Sequence, residues 1–191
     1  MGSATVTHFN EKLCLVPTVR TIYAQDAHTD TAEYHRVQRI SDQLLEHLNT
    51  REARELLRAA NMPGTSSAMV QRTFSRFSAD LGFVDEAKGL FAEYPNKALR
   101  PDFFLKLDDT GILMEVERGK TTINNMDLLD MWKCHLCMHA HYLFLMVPQA
   151  LIQNTTKKAV KKEYNYVVKR LESFFMPGGL TNVRAVHIFG Y

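Results

Sequence analysis

The stretch Arg100-Pro-Asp-Phe-Phe-Leu-Lys-Leu-Asp-Asp-Thr-Gly-Ile-Leu-Met-Glu-Val-Glu-Arg-Gly-Lys120 decides how this chain is read. Pro101 to Leu107 is short, aromatic-rich and extended in pattern, Asp108-Asp109-Thr110-Gly111 supplies turn chemistry, and Ile112 to Arg118 resumes as a strand. The pattern predicts a β-hairpin. Side chains alternate faces along a strand, so Leu113, Glu115 and Glu117 share one face and Ile112, Met114, Val116 and Arg118 the other. With the turn centred near Asp108 to Thr110, antiparallel pairing sets Asp102 opposite or diagonal to Glu115 or Glu117, within a cross-strand reach of about 5 to 8 Å. Three carboxylates then converge on one spot.

Such a cluster repels itself inside a sheet unless a cation neutralises it. Oxygen-only ligands favour Mg²⁺, or Mn²⁺ in its place. A hard ion there can polarise a phosphodiester, ready a water for in-line attack and stabilise the leaving oxygen. Arg100, Arg118 and Lys120 are near enough in sequence to contact phosphate. The plainer alternative is an exposed hairpin with acids on its solvent face. Three features weigh against it: Pro-Asp precedes an apolar strand, the two Glu stand at i and i+2, and the next helix and strand follow in the order a buried sheet needs.

Outward from the hairpin, Asn124 or Asn125 can cap a helix carrying Leu128, Leu129, Trp132 and Leu136. The apolar run Tyr142 to Val147 suits a buried central strand and ends at Pro148. A long amphipathic helix is predicted from about Thr156 to Phe175, with Val160, Tyr164, Val167, Val168, Leu171 and Phe175 on one side, and Gly178-Gly179 closing it. Val183 to Tyr191 reads as a last strand. The order β-β-α-β-α-β implies parallel neighbours, right-handed crossovers and helices over a mixed sheet. Upstream, the period of Tyr34, Val37, Ile40, Leu44, Leu45 and Leu48 predicts a helix from Thr31 to about Asn61. After Pro63-Gly64, Thr65, Ser66 or Ser67 can cap another, running to Gly82. Residues 1 to about 30 read as an arm or irregular segment.

Bulk properties restrict the answer without identifying it. The 191 residues, 46% hydrophobic, suit one compact domain, divided here into an N-terminal arm and helical region (1–64) packed on a core (65–191). The net charge of +2 neither demands nor forbids a nucleic-acid partner. No apolar run approaches the roughly 20 residues of a membrane span, and the N-terminus lacks the order of a signal peptide, so a cytoplasmic protein with no membrane partner is expected. The odd set Cys14, Cys134 and Cys137 reads as reduced thiols.

Arg-Pro-Asp-Phe, a short hairpin, Met-Glu-Val-Glu, a linker holding Asn124-Asn125, a helix and the strand from Tyr142 to Val147 together resemble the catalytic core of PD-(D/E)xK nucleases, and among them BglII- and BamHI-type restriction endonucleases. The resemblance covers residues 100 to 148 well and the preceding Ser66 to Glu86 more loosely. It implies an α/β restriction-endonuclease-like core with a central mixed β-sheet flanked by helices; the helical N-terminal region, read from its periodicity, lies outside the resemblance. It also implies a Mg²⁺-dependent endonuclease acting on DNA. By the same resemblance Asp102 and Glu115 match the metal-binding acids, and Glu86 an additional Glu that some members contribute from the helix before the core. Glu117 takes the position usually filled by Lys, so either Glu117 acts as the general base or Lys120 substitutes from the strand end. Cutting both strands would call for a homodimer or two successive nicks.

Other signals weigh less. Cys134-x-x-Cys137 with His135 and His139 offers zinc ligands, but on one helix they spread over more than one face, so zinc is not expected and the cysteines read as small core apolars. Lys157, Lys158, Lys161 and Lys162 can grip a DNA backbone or form a solvated helix face. Trp132 and Phe103, Phe104, Phe144, Phe174 and Phe175 read as core. The competing function is a non-catalytic DNA-binding or regulatory protein that keeps the nuclease fold.

Overall fold

The computed structural model describes residues 17–85, 90–95, 99–153, 155–156 and 158–191, apart from the side chain of residue 67. Glu86, Lys157 and Cys14 lie outside the described residues. The elements in chain order are β1 (Val19–Ala24), α1 (Ala32–Leu48), α2 (Arg51–Ala60), α3 (Ser67–Asp80), β2 (Val84–Asp85), β3 (Phe103–Lys106), β4 (Gly111–Val116), α4 (Met126–Leu136), β5 (Tyr142–Val147), β6 (Leu151–Ile152), β7 (Ala159–Lys161), α5 (Glu163–Glu172) and β8 (Ala185–Gly190). Among the described residues six strands form one mixed sheet in the order β1-β8-β5-β4-β3-β2.

The expected hairpin forms, with Phe103 opposite Met114 and Lys106 opposite Gly111. Parallel pairing joins β4 to β5 and β5 to β8. Those three strands are buried along their whole length, which is why Tyr142 to Val147 carries no alternation of polarity. The sheet therefore separates two apolar layers. On one side Val37, Leu44, Leu48 and Phe74 from α1 and α3 meet Ile112, Met114, Phe144 and Phe189. On the other Met131 and Cys134 of α4 and Val167 and Leu171 of α5 meet Leu113, Leu145, Val186 and Ile188. The alternation along β4 thus divides Met114 from Leu113 and Glu115, as the pleat requires.

Several sequence expectations are corrected. The segment before Thr31 is not wholly irregular, because β1 pairs antiparallel with β8, Val19 opposite Gly190. The predicted helix from Thr31 to Asn61 is two helices: Asn49 ends α1, and the Thr50 hydroxyl accepts from the Ala53 amide to start α2. The Ser66 side chain makes no cap to α3, and Thr65 instead donates to the Ala60 and Met62 carbonyls. The long helix from Thr156 begins only at Glu163, since Ala159–Lys161 pairs with Leu151–Ile152 as a short ribbon. There Val160 is exposed. β-branched and lysine residues in a short stretch satisfy either period, and pairing with β6 decides the outcome.

The largest correction concerns α4. Leu129, Trp132 and Leu136 are exposed, whereas Asp127, Asp130, Met131, Lys133 and Cys134 form the buried face. Phe103 and Phe144 are core as expected, but Trp132 is not. Asn125 precedes α4 in the left-handed conformation, φ 55°, without capping it, and its side chain accepts from Arg170. No helix among the described residues is long and apolar enough to cross a membrane.

Candidate active site

At the end of β4 that points along β5 and β8, the chain leaves a polar cleft of about 410 Å³, lined by residues including Arg100, Asp102, Glu115, Glu117, Arg118 and Lys133. Pairing through Phe103 and Met114 carries Asp102 to Glu115. The Asp102 amide donates to Glu115 Oε2 at 3.2 Å, and Asp102 Oδ2 accepts from the Val116 amide at 2.8 Å. Gln71 of α3 donates to Asp102 Oδ1 at 2.6 Å. Both carboxylates are thereby oriented by the backbone of the neighbouring strand and by one flanking helix.

Helix α4 contributes what the hairpin lacks. Lys133 Nζ lies 2.7 Å from Glu115 Oε1 and 3.0 Å from Asp130 Oδ1, and all three side chains are nearly or fully buried. Burial alone would lower the Lys133 pKa, but the Glu115 and Asp130 carboxylates outweigh it and raise the ammonium above its ordinary range. Glu115 is pushed well above the usual carboxylate range, first by burial and then by Asp130, with Lys133 opposing. Burial and the acids Asp130 and Asp102 push Glu117 up to about 8, and burial raises Asp130 to about 6. Lys133 holds its proton, since carboxylates at about 3 Å favour the charged form of an ammonium.

Glu117 follows β4 and lines the same cleft. Its amide donates to the Met146 carbonyl, and its carbonyl accepts from the Tyr191 hydroxyl at 2.6 Å, which ties the strand end to β5 and the C-terminus. Among the described residues no three His, Cys, Asp or Glu side chains are grouped as a ready-made metal site. The hairpin acids nonetheless fit a hard cation chemically: all their donors are oxygen, and the burial and neighbouring acids that raise Glu115 and Glu117 disfavour negative charge that a divalent ion would offset.

The remaining predicted residues fall in different places. Arg100 is exposed at the cleft wall; Arg118 lines it too, but Nη2 donates to the Met62 carbonyl at 2.9 Å. Lys120 is exposed, adopts φ 57° and is not part of the cleft lining. Lys158 and Lys162 are exposed, whereas Lys161 bonds the Thr122 hydroxyl and sits 3.1 Å from Glu163 Oε2. Cys134 and Cys137 are buried free thiols.

Sequence reasoning missed Asp130 and Lys133. A signal existed: Asp127, Asp130 and Cys134 recur at helical spacing, so a core Cys134 places both acids on the buried face. Charges at such spacing ordinarily mark a solvated surface, and the apolar Leu129, Trp132 and Leu136 masked the true orientation.

No family model and no curated protein matches the sequence. Among solved structures, the chain is similar to the crystal structure of restriction endonuclease BglII complexed with a DNA 16-mer, with a TM-score of 0.50 and 11% identity, over 92% of this chain and 78% of that one. The fold is restriction-endonuclease-like. At this identity the likeness concerns the path of the chain.

Proposed function

We propose that this chain is a divalent-metal-dependent endonuclease that hydrolyses DNA phosphodiester bonds. The observation that carries the reading is the interlocked pair of Asp102 and Glu115 at the floor of a cleft whose wall bears Arg100 and Arg118. Asp102 and Glu115 would hold Mg²⁺ or Mn²⁺, with Glu117 beside them and Glu86 as an expected further ligand from outside the described residues. When bound, the ion supplies Lewis-acid polarisation of the phosphoryl group.

The chain's own residues then have separable roles. Arg100 presents a guanidinium that can hold non-bridging phosphate oxygens in a forked geometry. Glu117 stands where it can accept the proton of the attacking water, a task suited to a carboxyl whose pKa lies near neutrality. Lys158 and Lys162 extend a basic surface from the ribbon, whose Leu151 abuts Gly119 of the cleft wall. A twofold dimer would allow both strands to be cut.

A specific observation supports the competing reading of a non-catalytic DNA-binding protein: Lys133 already neutralises Glu115. One experiment separates the two. Plasmid DNA is incubated with the wild type and Asp102→Ala in Mg²⁺, Mn²⁺ or EDTA. Cleavage is expected for the wild type with metal only. Cleavage that persists in EDTA or in the variant refutes the assigned centre, and DNA binding without cleavage under every condition establishes the non-catalytic reading.

A further inference from the structure

The acids proposed to hold the cation are not idle in the absence of one. Glu115 Oε2 accepts from the Asp102 amide, and Oε1 takes the Lys133 ammonium at 2.7 Å. A carboxylate oxygen has more than one lone-pair direction, so an amide donor can stay while a metal binds. A full positive charge is different, because an ammonium at that distance and a divalent ion on the same carboxylate repel each other in a site screened from water.

Lys133 also has an alternative seat. Asp130 stands three residues earlier on α4, with Oδ1 at 3.0 Å from Nζ, so the ammonium can keep that contact and swing away from Glu115 on its flexible stem. Lys133 lines the cleft alongside Arg100, so its side chain borders the space a phosphate would enter.

We infer that Lys133 is an internal counter-cation that competes with the divalent ion for Glu115, and that a substrate phosphate, by taking up the Lys133 ammonium, opens the site to the ion. The inference rests on the metal-dependent nuclease reading. No proton changes hands: the ammonium exchanges one anionic partner for another. Lys133 is a positioning residue in this scheme, acting on the cation through Glu115. By linkage, whatever DNA gains from the ion, the ion gains from DNA.

The test is isothermal titration of the full chain with MnCl₂, alone and with a cleavage-resistant phosphorothioate duplex, after subtracting the Mn²⁺ bound by the duplex itself. For the wild type the duplex should tighten Mn²⁺ binding at least about fivefold, within the usual range of such couplings. Lys133→Met should bind Mn²⁺ about tenfold more tightly than the wild type without DNA, and the duplex should tighten it by a smaller factor than it does the wild type, on the same scale of coupling. Lys133→Arg should restore wild-type behaviour. A lysine that merely supported the fold would leave Mn²⁺ affinity unchanged or weakened when removed. A folded Lys133→Met with equal or weaker affinity overturns the inference, as does a wild type whose affinity ignores the duplex. Should Lys133→Met fail to fold, Lys133→Gln decides in the same titration: a gain in Mn²⁺ affinity without DNA supports the inference and no gain overturns it. Mn²⁺ binding in no arm would bring down the metal-dependent reading and this inference with it, whereas equal binding in all arms brings down the role of Lys133 alone.

Discussion

Replacing Glu117 by Gln should make the metal-free protein more stable while abolishing cleavage. The carboxyl is raised from 4.5 to about 8, first by burial and then by Asp130 and Asp102. Between those values the folded chain keeps a proton that the unfolded chain has released, so stability falls as pH rises through the window and levels off above it. At about 1.4 kcal/mol per pH unit, the cost of holding Glu117 in the folded site is absent below pH 4.5 and reaches about 3 kcal/mol at pH 7. Glutamine keeps the shape and carries no charge, so the variant escapes that cost. In urea titrations with EDTA, wild type and Glu117→Gln should coincide near pH 4.5 and separate steadily above it. For a chain of this size the gap at pH 7 corresponds to a rise in Tm of about 6 to 12 °C. Saturating Mg²⁺ should narrow the gap, since a cation beside Glu117 favours its ionised form. A variant whose stability follows the wild type at every pH would refute the account of Glu117 as a carboxyl strained by burial and neighbouring acids.

Two further substitutions probe the frame around the site. His187 is fully buried in β8, with Nδ1 2.7 Å from the Ser41 hydroxyl, and burial followed by the nearby Arg20 lowers it to about 3. Below about pH 6.5 the unfolded chain gains a proton that the folded chain refuses, so stability is lost as pH falls from 6.5 towards 3; His187→Gln should remove about 1.4 kcal/mol per pH unit of that slope, read by urea unfolding between pH 4 and 6. Gly111 opens β4 where an added Cβ would meet the Leu105 carbonyl oxygen at 2.8 Å as well as the Phe104 ring. The carbonyl belongs to the paired strand and cannot step aside, so Gly111→Ala should cost about 1 to 3 kcal/mol in chemical denaturation.

Much of the fold was legible because its decisive elements carry short-range signals. The Asp108-Asp109-Thr110-Gly111 turn marks the hairpin, and the unbroken apolar run at Tyr142 to Val147 marks a strand covered on both faces. Counting residues back from that turn brings Asp102 opposite or diagonal to Glu115 or Glu117, and the pairing of Phe103 with Met114 selects Glu115. Strand β1 was not legible, because Val19 to Ala24 acquires its identity only by pairing with β8, more than 160 residues away in the chain. The same applies to β7, where the choice between helix and ribbon is made by β6.

The sequence by itself determined the alternation that puts Glu115 on one face of β4 and Met114 on the other, since the pleat of a strand leaves no choice. It likewise determined that β4 and β5, and β5 and β8, each joined through a helix, lie parallel. Which face of α4 turns inward was decided only by the tertiary structure. A helix that offers leucines and a tryptophan on one side and Asp130 and Lys133 on the other would ordinarily bury the first. Here Met131 and Cys134 pack on the sheet from the same face that brings Lys133 to Glu115, and Leu129, Trp132 and Leu136 are left exposed; the acid on the sheet needs a buried cation, which only the assembled layers reveal.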